Sequence, residues 1–143
     1  MFGNVYNVLV NCFIMDDCVF CKIVRGEIPC HKIWEDEKHL GFLDAFPSVE
    51  GQVLVIPKRH VAPFVFGMED EDYLDFMMAV KKVALIVDGA LKPVKTGMIV
   101  EGLELEHVHA KIFPLSDAGV GVFSGRVEVS DERMAEIAGK IRG

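Results

Sequence analysis

Apolar positions recur along this chain in three rhythms. Between residues 70 and 91, Tyr73, Phe76, Met77, Val80, Ala84, Val87 and Leu91 return every three or four positions, as one face of an α-helix does. Asp70, Glu71 and Asp72 stand at its start, where the helix dipole favours negative charge, and Gly89 and Pro93 mark its end. A shorter helix is expected around 20–25, stopped by Gly26 and Pro29. By contrast "VLVIP" (53–57) is apolar at every position until Pro57 ends it, the pattern of a central strand. "KIWED" (32–36) and "HLGFLDA" (39–45) read as two short strands around an acidic turn, and "PSVEGQ" as a loop. "TGMIVEG" (96–102) and "EHVHAKIF" (106–113) read as two further strands joined near Gly102, the second ended by Pro114. "GRVEVS" (125–130) reads as a short strand, with Ser130 capping a last helix through Met134, Ile137, Ala138 and Ile141. Strands, one long helix, then more strands imply an α+β fold with a mainly antiparallel sheet.

The 143 residues fit one domain, and the 51% hydrophobic content is enough for a core. A net charge of −7 argues against general nucleic-acid binding, which phosphate neutralisation drives, but leaves room for one small basic nucleotide pocket. "MFGNVYNVLVNCFIM" (1–15) carries no charge, lacks the basic start of a secretory signal, and is short of the roughly 20 residues that cross a bilayer. It reads as an N-terminal extension to a single domain over 16–143, in a protein expected to be cytoplasmic with no membrane partner.

Two short motifs bring chemistry. Among four cysteines, Cys18 and Cys21 form a C-x-x-C pair, which offers two soft metal ligands or a reduced, metal-free pair. Zinc there needs two more ligands, and the spacing leaves His31, His39, His60, His107 and His109 all open. In "LEHVHAKIF" (105–113), strand alternation puts His107, His109 and Lys111 on one face and Val108, Ala110 and Ile112 on the other. A neutral His109 imidazole could attack phosphorus, with Lys111 meeting the charge that develops on phosphate oxygens. Read alone, the same column is a solvent-facing strand, and Asp44 in "FLDA" is a turn-starting aspartate or a ribose acceptor.

Together, "DCVFCKIVRGEIP", "KIWEDEKHLGFLDAFPSVEGQVLVIPKRH", the long helix and "EGLELEHVHAKIFP" resemble the histidine-triad (HIT) nucleotide-binding family over about residues 17–115. The resemblance implies a HIT-like homodimer with a five-stranded antiparallel sheet in each subunit. It implies purine nucleotide binding and cleavage at the α-phosphate of phosphoramidates or dinucleoside polyphosphates through a covalent nucleotidyl-histidine. His109 takes the place of the attacking histidine. Cys18, Cys21, His60 and His107 take the places of structural zinc ligands. Asp44 matches the ribose-binding aspartate, and Val19, Phe20, Ile23, Phe42 and Leu54 match the positions that enclose the base.

The chain departs from the family pattern at Lys111, where a third histidine is expected, at Leu103 in place of glutamine, and at Gln52 in place of histidine. These departures keep a second reading open: a nucleotide-binding regulator with little catalysis. A third reading is a zinc-stabilised interaction protein, suggested by the apolar N-terminus and the tail 116–143.

Overall fold

The computed structural model describes residues 16–117 and 125–143. The expected extension 1–15 and part of the tail, 118–124, lie outside the described residues.

Five strands form one sheet. They are β1 (Lys32–Glu35), β2 (His39–Leu43), β3 (Val53–Pro57), β4 (Lys95–Ile99) and β5 (Ala110–Leu115), ordered β1-β2-β3-β5-β4. Every pairing is antiparallel. Helix α1 (Val19–Val24) precedes the sheet, α2 (Asp70–Leu91) joins β3 to β4 after a 3-10 turn at Val65–Gly67, and α3 (Asp131–Arg142) follows β5.

The alternation along β3 sorts the two faces. Val53 and Val55 point into the larger core, where Phe76, Val80, Val83 and Val87 of α2 and Met134, Ile137 and Ile141 of α3 also bury their side chains. Each such burial contributes about 1.5–3 kcal/mol. Leu54 and Ile56 point the other way, onto Phe20 of α1 with Leu40 and Phe42. The stripe of α2 is wider than the sequence pattern suggested, because Ala79 and Val83 are buried too. Gly89 lies inside this helix, whose end is Lys92 in a left-handed conformation, its N–H donating to the Asp88 carbonyl (2.9 Å). Ser130 caps α3 by accepting from the Arg133 N–H.

Three expected boundaries change. Residues 125–130 pair with no strand among the described residues, although the Val127 N–H donates to the Pro47 carbonyl (2.8 Å). Pro114 lies within β5, opposite Thr96, rather than ending it. β3 pairs only with Ala110–Ile112, so at Pro114 the strand has β4 alone beside it, a position that tolerates a missing N–H. Finally, β5 begins at Ala110 and not at 106, for a reason that lies in the site itself. No helix among the described residues is long and apolar enough to cross a membrane.

Two glycines give opposite expectations. A Cβ on Gly102 (φ +69°) would lie 2.6 Å from the Pro63 carbonyl oxygen, whereas one on Gly89 would meet nothing within 4 Å. Gly102→Ala should lower the unfolding free energy by roughly 1–3 kcal/mol. Gly89→Ala should raise it by about 0.5–1 kcal/mol. Urea denaturation of the two variants beside the parent measures both.

Candidate functional site

The site is built where β3 ends. Pro57 has no N–H to give a neighbouring strand, and its carbonyl accepts the Nε2–H of His107 (2.9 Å). The ladder between β3 and β5 therefore stops at Val55–Ala110, and residues 107–109 continue beyond it without strand pairing. The Val108 N–H donates to the Val61 carbonyl (2.9 Å), which draws the segment after Pro57 alongside. His60 and His107 consequently meet, with ring centroids 5.0 Å apart and nearly perpendicular.

The expected alternation of side chains persists although the strand is shorter. Val108, Ala110 and Ile112 are buried in the larger core. His107 and His109 face Phe20, at centroid distances of 5.7 and 5.2 Å. Lys111 stands opposite Leu54, which stands opposite Phe42, in one cross-strand row on the α1 side.

Cys18 and Cys21 sit at the start of α1, three residues apart and so on one helix face. Cys18 Sγ lies 3.4 Å from His107 Nδ1, and Cys21 Sγ lies 3.3 Å from His60 Nδ1 and 3.6 Å from His107 Nδ1. All four ligand atoms fall within 4.8 Å of one another. A tetrahedral ion with bonds of about 2.0–2.3 Å needs ligand atoms about 3.3–3.8 Å apart, so these residues fit a metal. The tautomer fits as well: Pro57 takes the Nε2 proton of His107, which leaves the Nδ1 lone pair facing the thiols. Burial lowers the pKa of His107 to about 4 and, with lesser effect from Cys18, raises that of Cys21 to about 11. The imidazole is thus ready to ligate, and the Cys21 thiol proton is what a metal would displace. Of the remaining histidines, His31 pairs with Asp131 (2.8 Å) and His39 with Asp36 (3.2 Å), away from the cluster.

His109 is only 2% exposed. Its Nδ1–H donates to the His107 carbonyl (2.8 Å), because a carbonyl can only accept. In the neutral ring the Nε2 lone pair is then left free, and Glu101 Oε1 lies 3.9 Å from it. The same oxygen lies 3.1 Å from Lys111 Nζ, and Glu104 Oε2 lies 3.2 Å from it. Burial works against the charge on Lys111, but the two glutamates outweigh it and hold its pKa above the usual lysine value.

Phe20, Phe42 and Leu54 pack together with the half-buried Ile23. Val19 stays outside that cluster and is exposed. Asp44 follows β2, its Oδ1 accepting from the Phe46 N–H (2.9 Å) and its Oδ2 from Gln52 Nε2–H (2.6 Å). Burial raises the pKa of Asp44, and Lys111 is close enough to oppose that rise. Gln52 is buried and also accepts from the Ser48 N–H (2.7 Å), so it braces the loop that carries Asp44. Leu103 is fully outside the cluster, at 87% exposure.

The HIT-domain family model matches residues 25–118. The chain belongs to the HIT-domain family. This HIT protein is 37% identical to an uncharacterized HIT-like protein of Methanocaldococcus jannaschii, over 88% of its own length and 99% of the relative's. It is also 37% identical to the Schizosaccharomyces pombe adenosine 5'-monophosphoramidase, over 87% and 98% of the two chains. Among solved structures, a zinc-bound histidine triad family protein from Mycobacterium smegmatis superposes with a TM-score of 0.72 at 27% identity, covering 90% of this chain and 92% of that one. A hypothetical histidine triad nucleotide-binding protein from Sulfolobus tokodaii gives 0.75 at 30% identity, covering 87% and 89%.

The residues that sequence reasoning missed are Glu101, Glu104 and the Pro57 carbonyl. A signal for the first two was available: with Ile99 opposite Lys111, a turn at Gly102 returns the acidic "EGLE" over that lysine.

Removing metal with a chelator should lower the melting temperature by at least about 5 °C. His107→Ala should bring the metal content, read by elemental analysis, well below one ion per chain. An unchanged melting temperature and full metal content would contradict the four-ligand cluster.

Proposed function

We propose that this HIT protein is a cytoplasmic hydrolase or transferase of purine nucleotide adducts that works through a nucleotidyl-His109 intermediate. The observation that carries the reading is the Nε2 of His109, left with its lone pair by the Nδ1–H bond to the His107 carbonyl. The phosphoramidase name of the S. pombe relative supports the same chemistry. Nε2 attacks the α-phosphorus of a phosphoramidate or dinucleoside polyphosphate. The bond to the leaving group breaks, and its electron pair goes to the departing nitrogen or oxygen, which gains a proton from water. Water then attacks phosphorus, the P–Nε2 bond breaks, and the nucleoside monophosphate leaves. Lys111 offsets charge on the phosphoryl oxygens. Asp44, presented by Gln52, accepts from the ribose hydroxyls. Phe20, Ile23, Phe42 and Leu54, with Val19 at the open edge, enclose the base.

Cys18, Cys21, His60 and His107 hold zinc in this reading. With four protein ligands the ion has no open position and braces the fold. The reading extends to a homodimer, supported by the edge of β4, which pairs with no further strand among the described residues and carries the exposed Met98 with Val94 just before it, and by Leu74, Met78 and Leu85 exposed on α2. Sedimentation should give a particle of twice the chain mass; a monomer at micromolar concentration would reject this.

The pairing of Lys111 with two carboxylates favours one second reading, a nucleotide-binding regulator with little turnover. Incubation with adenosine phosphoramidate separates the two. AMP release that His109→Ala lowers by at least about a thousandfold fits covalent catalysis. No AMP from the parent protein, in a sample that binds AMP, selects the regulator.

A further inference from the structure

Lys111 is a cation on the α1 side of the sheet that a phosphate could meet, and it is already paired. Glu101 and Glu104 both contact its ammonium. Asp44 and Arg126 lie in the same field and oppose one another, so Lys111, Arg126, Glu101, Glu104 and Asp44 together sum to −1. The position of Glu101 is specific. Its Oε1 is buried and, apart from the Lys111 ammonium, has no hydrogen-bond donor among the described residues. It lies 3.9 Å from the free Nε2 of His109. A phosphorus atom poised for attack stands about 3–3.5 Å from its nucleophile, so its oxygens would fall close beside this carboxylate.

The carboxylate is held in place by its own loop. Its Oε2 accepts the Leu103 N–H (3.0 Å). The next residue, Gly102, is left-handed and packed against the Pro63 carbonyl, where even a Cβ would not fit. An entering α-phosphate would share Lys111 with Glu101 held in this way.

We propose that Glu101 and Glu104 are specificity-determining residues that hold Lys111 in a triad of net charge −1, so that the site selects nucleotide adducts bearing no negative charge beyond the α-phosphate. Adducts whose leaving group is an amine are accepted, and those extended by further phosphates are disfavoured. This rests on the proposed turnover of nucleotide adducts and chooses between its two substrate classes. The physical cause is repulsion between each added phosphate charge and carboxylates a few ångströms away in a partly desolvated pocket. The polar rim "EGLE" is the feature of this chain that does it.

The test compares kcat/KM for diadenosine tetraphosphate with that for adenosine phosphoramidate, in the parent protein and in Glu104→Gln, Glu101→Gln and Glu71→Gln. Glu104 is exposed enough to be changed without disturbing the fold, and Glu71 lies on α2, so its variant controls for net charge alone. The ratio of tetraphosphate to phosphoramidate should rise about tenfold in Glu104→Gln and at least as much in Glu101→Gln. It should stay level in Glu71→Gln, and the difference should shrink as salt is raised. A ratio that does not move in either site variant, or that moves equally in Glu71→Gln, overturns the proposal. If the parent turns over neither compound, the catalytic reading fails, and calorimetry with AMP and adenosine decides this one. An AMP-to-adenosine affinity ratio about tenfold higher in the site variants upholds charge selection, and an unchanged ratio refutes it. Absence of binding by both ligands rejects both readings.

Discussion

The hydrogen bond from His107 Nε2 to the Pro57 carbonyl is the contact on which the functional end of this molecule depends. A proline closing a central strand leaves its neighbour with no N–H to accept and a carbonyl to satisfy. Here a histidine ring supplies the missing donor instead of a strand. That one substitution of ring for backbone ends the β3–β5 ladder, settles the tautomer of His107, and turns its Nδ1 toward the two cysteines of α1. The His107 backbone carbonyl in turn accepts from His109 Nδ1–H, which settles the second tautomer. Two imidazoles thus present opposite nitrogens, His107 its Nδ1 and His109 its Nε2.

The Cys18–Cys21–His60–His107 cluster and His109 are therefore not separate features. Phe20 lies between them, edge-on to both rings, and it belongs to the same short helix whose start carries Cys18 and Cys21. Clamping α1 to residues 60 and 107 would also clamp the apolar lid of Phe20 over Phe42 and Leu54. In the proposed reading, an ion held there would act by bracing, without taking part in the reaction.

Electrostatics separate this HIT protein from a simple phosphate binder. In an unpaired setting, a lysine in the triad column would draw any polyanion. In the proposed reading, Glu101 and Glu104 convert that attraction into selection, because a buried or half-buried charge is strong only toward what it is not already paired with. Asp44 shows the same economy: its carboxylate is kept in place by Gln52 and Phe46, at the cost of a raised pKa from burial.

Much of this was legible in the sequence wherever one periodicity dominated. The α2 pattern ran from Asp70 to Leu91 in the sequence and does so in the molecule, because seven apolar residues on one helical face have a single way to leave water. The alternation from His107 to Lys111 likewise survived the loss of the strand expected there, since Val108, Ala110 and Ile112 bury themselves whether or not the backbone is paired. The C-x-x-C pair announced ligands by residue type. Spacing alone could not decide which histidines complete the set, and only the family resemblance pointed to His60 and His107, because these two are brought together by the Pro57 and Val61 carbonyls, contacts between segments some 47–50 residues apart. Nor could it show that Lys111 is shared with two glutamates. Periodicity reports which side of an element faces the core; only the tertiary structure decides which polar groups, having no place in that core, must find each other across it.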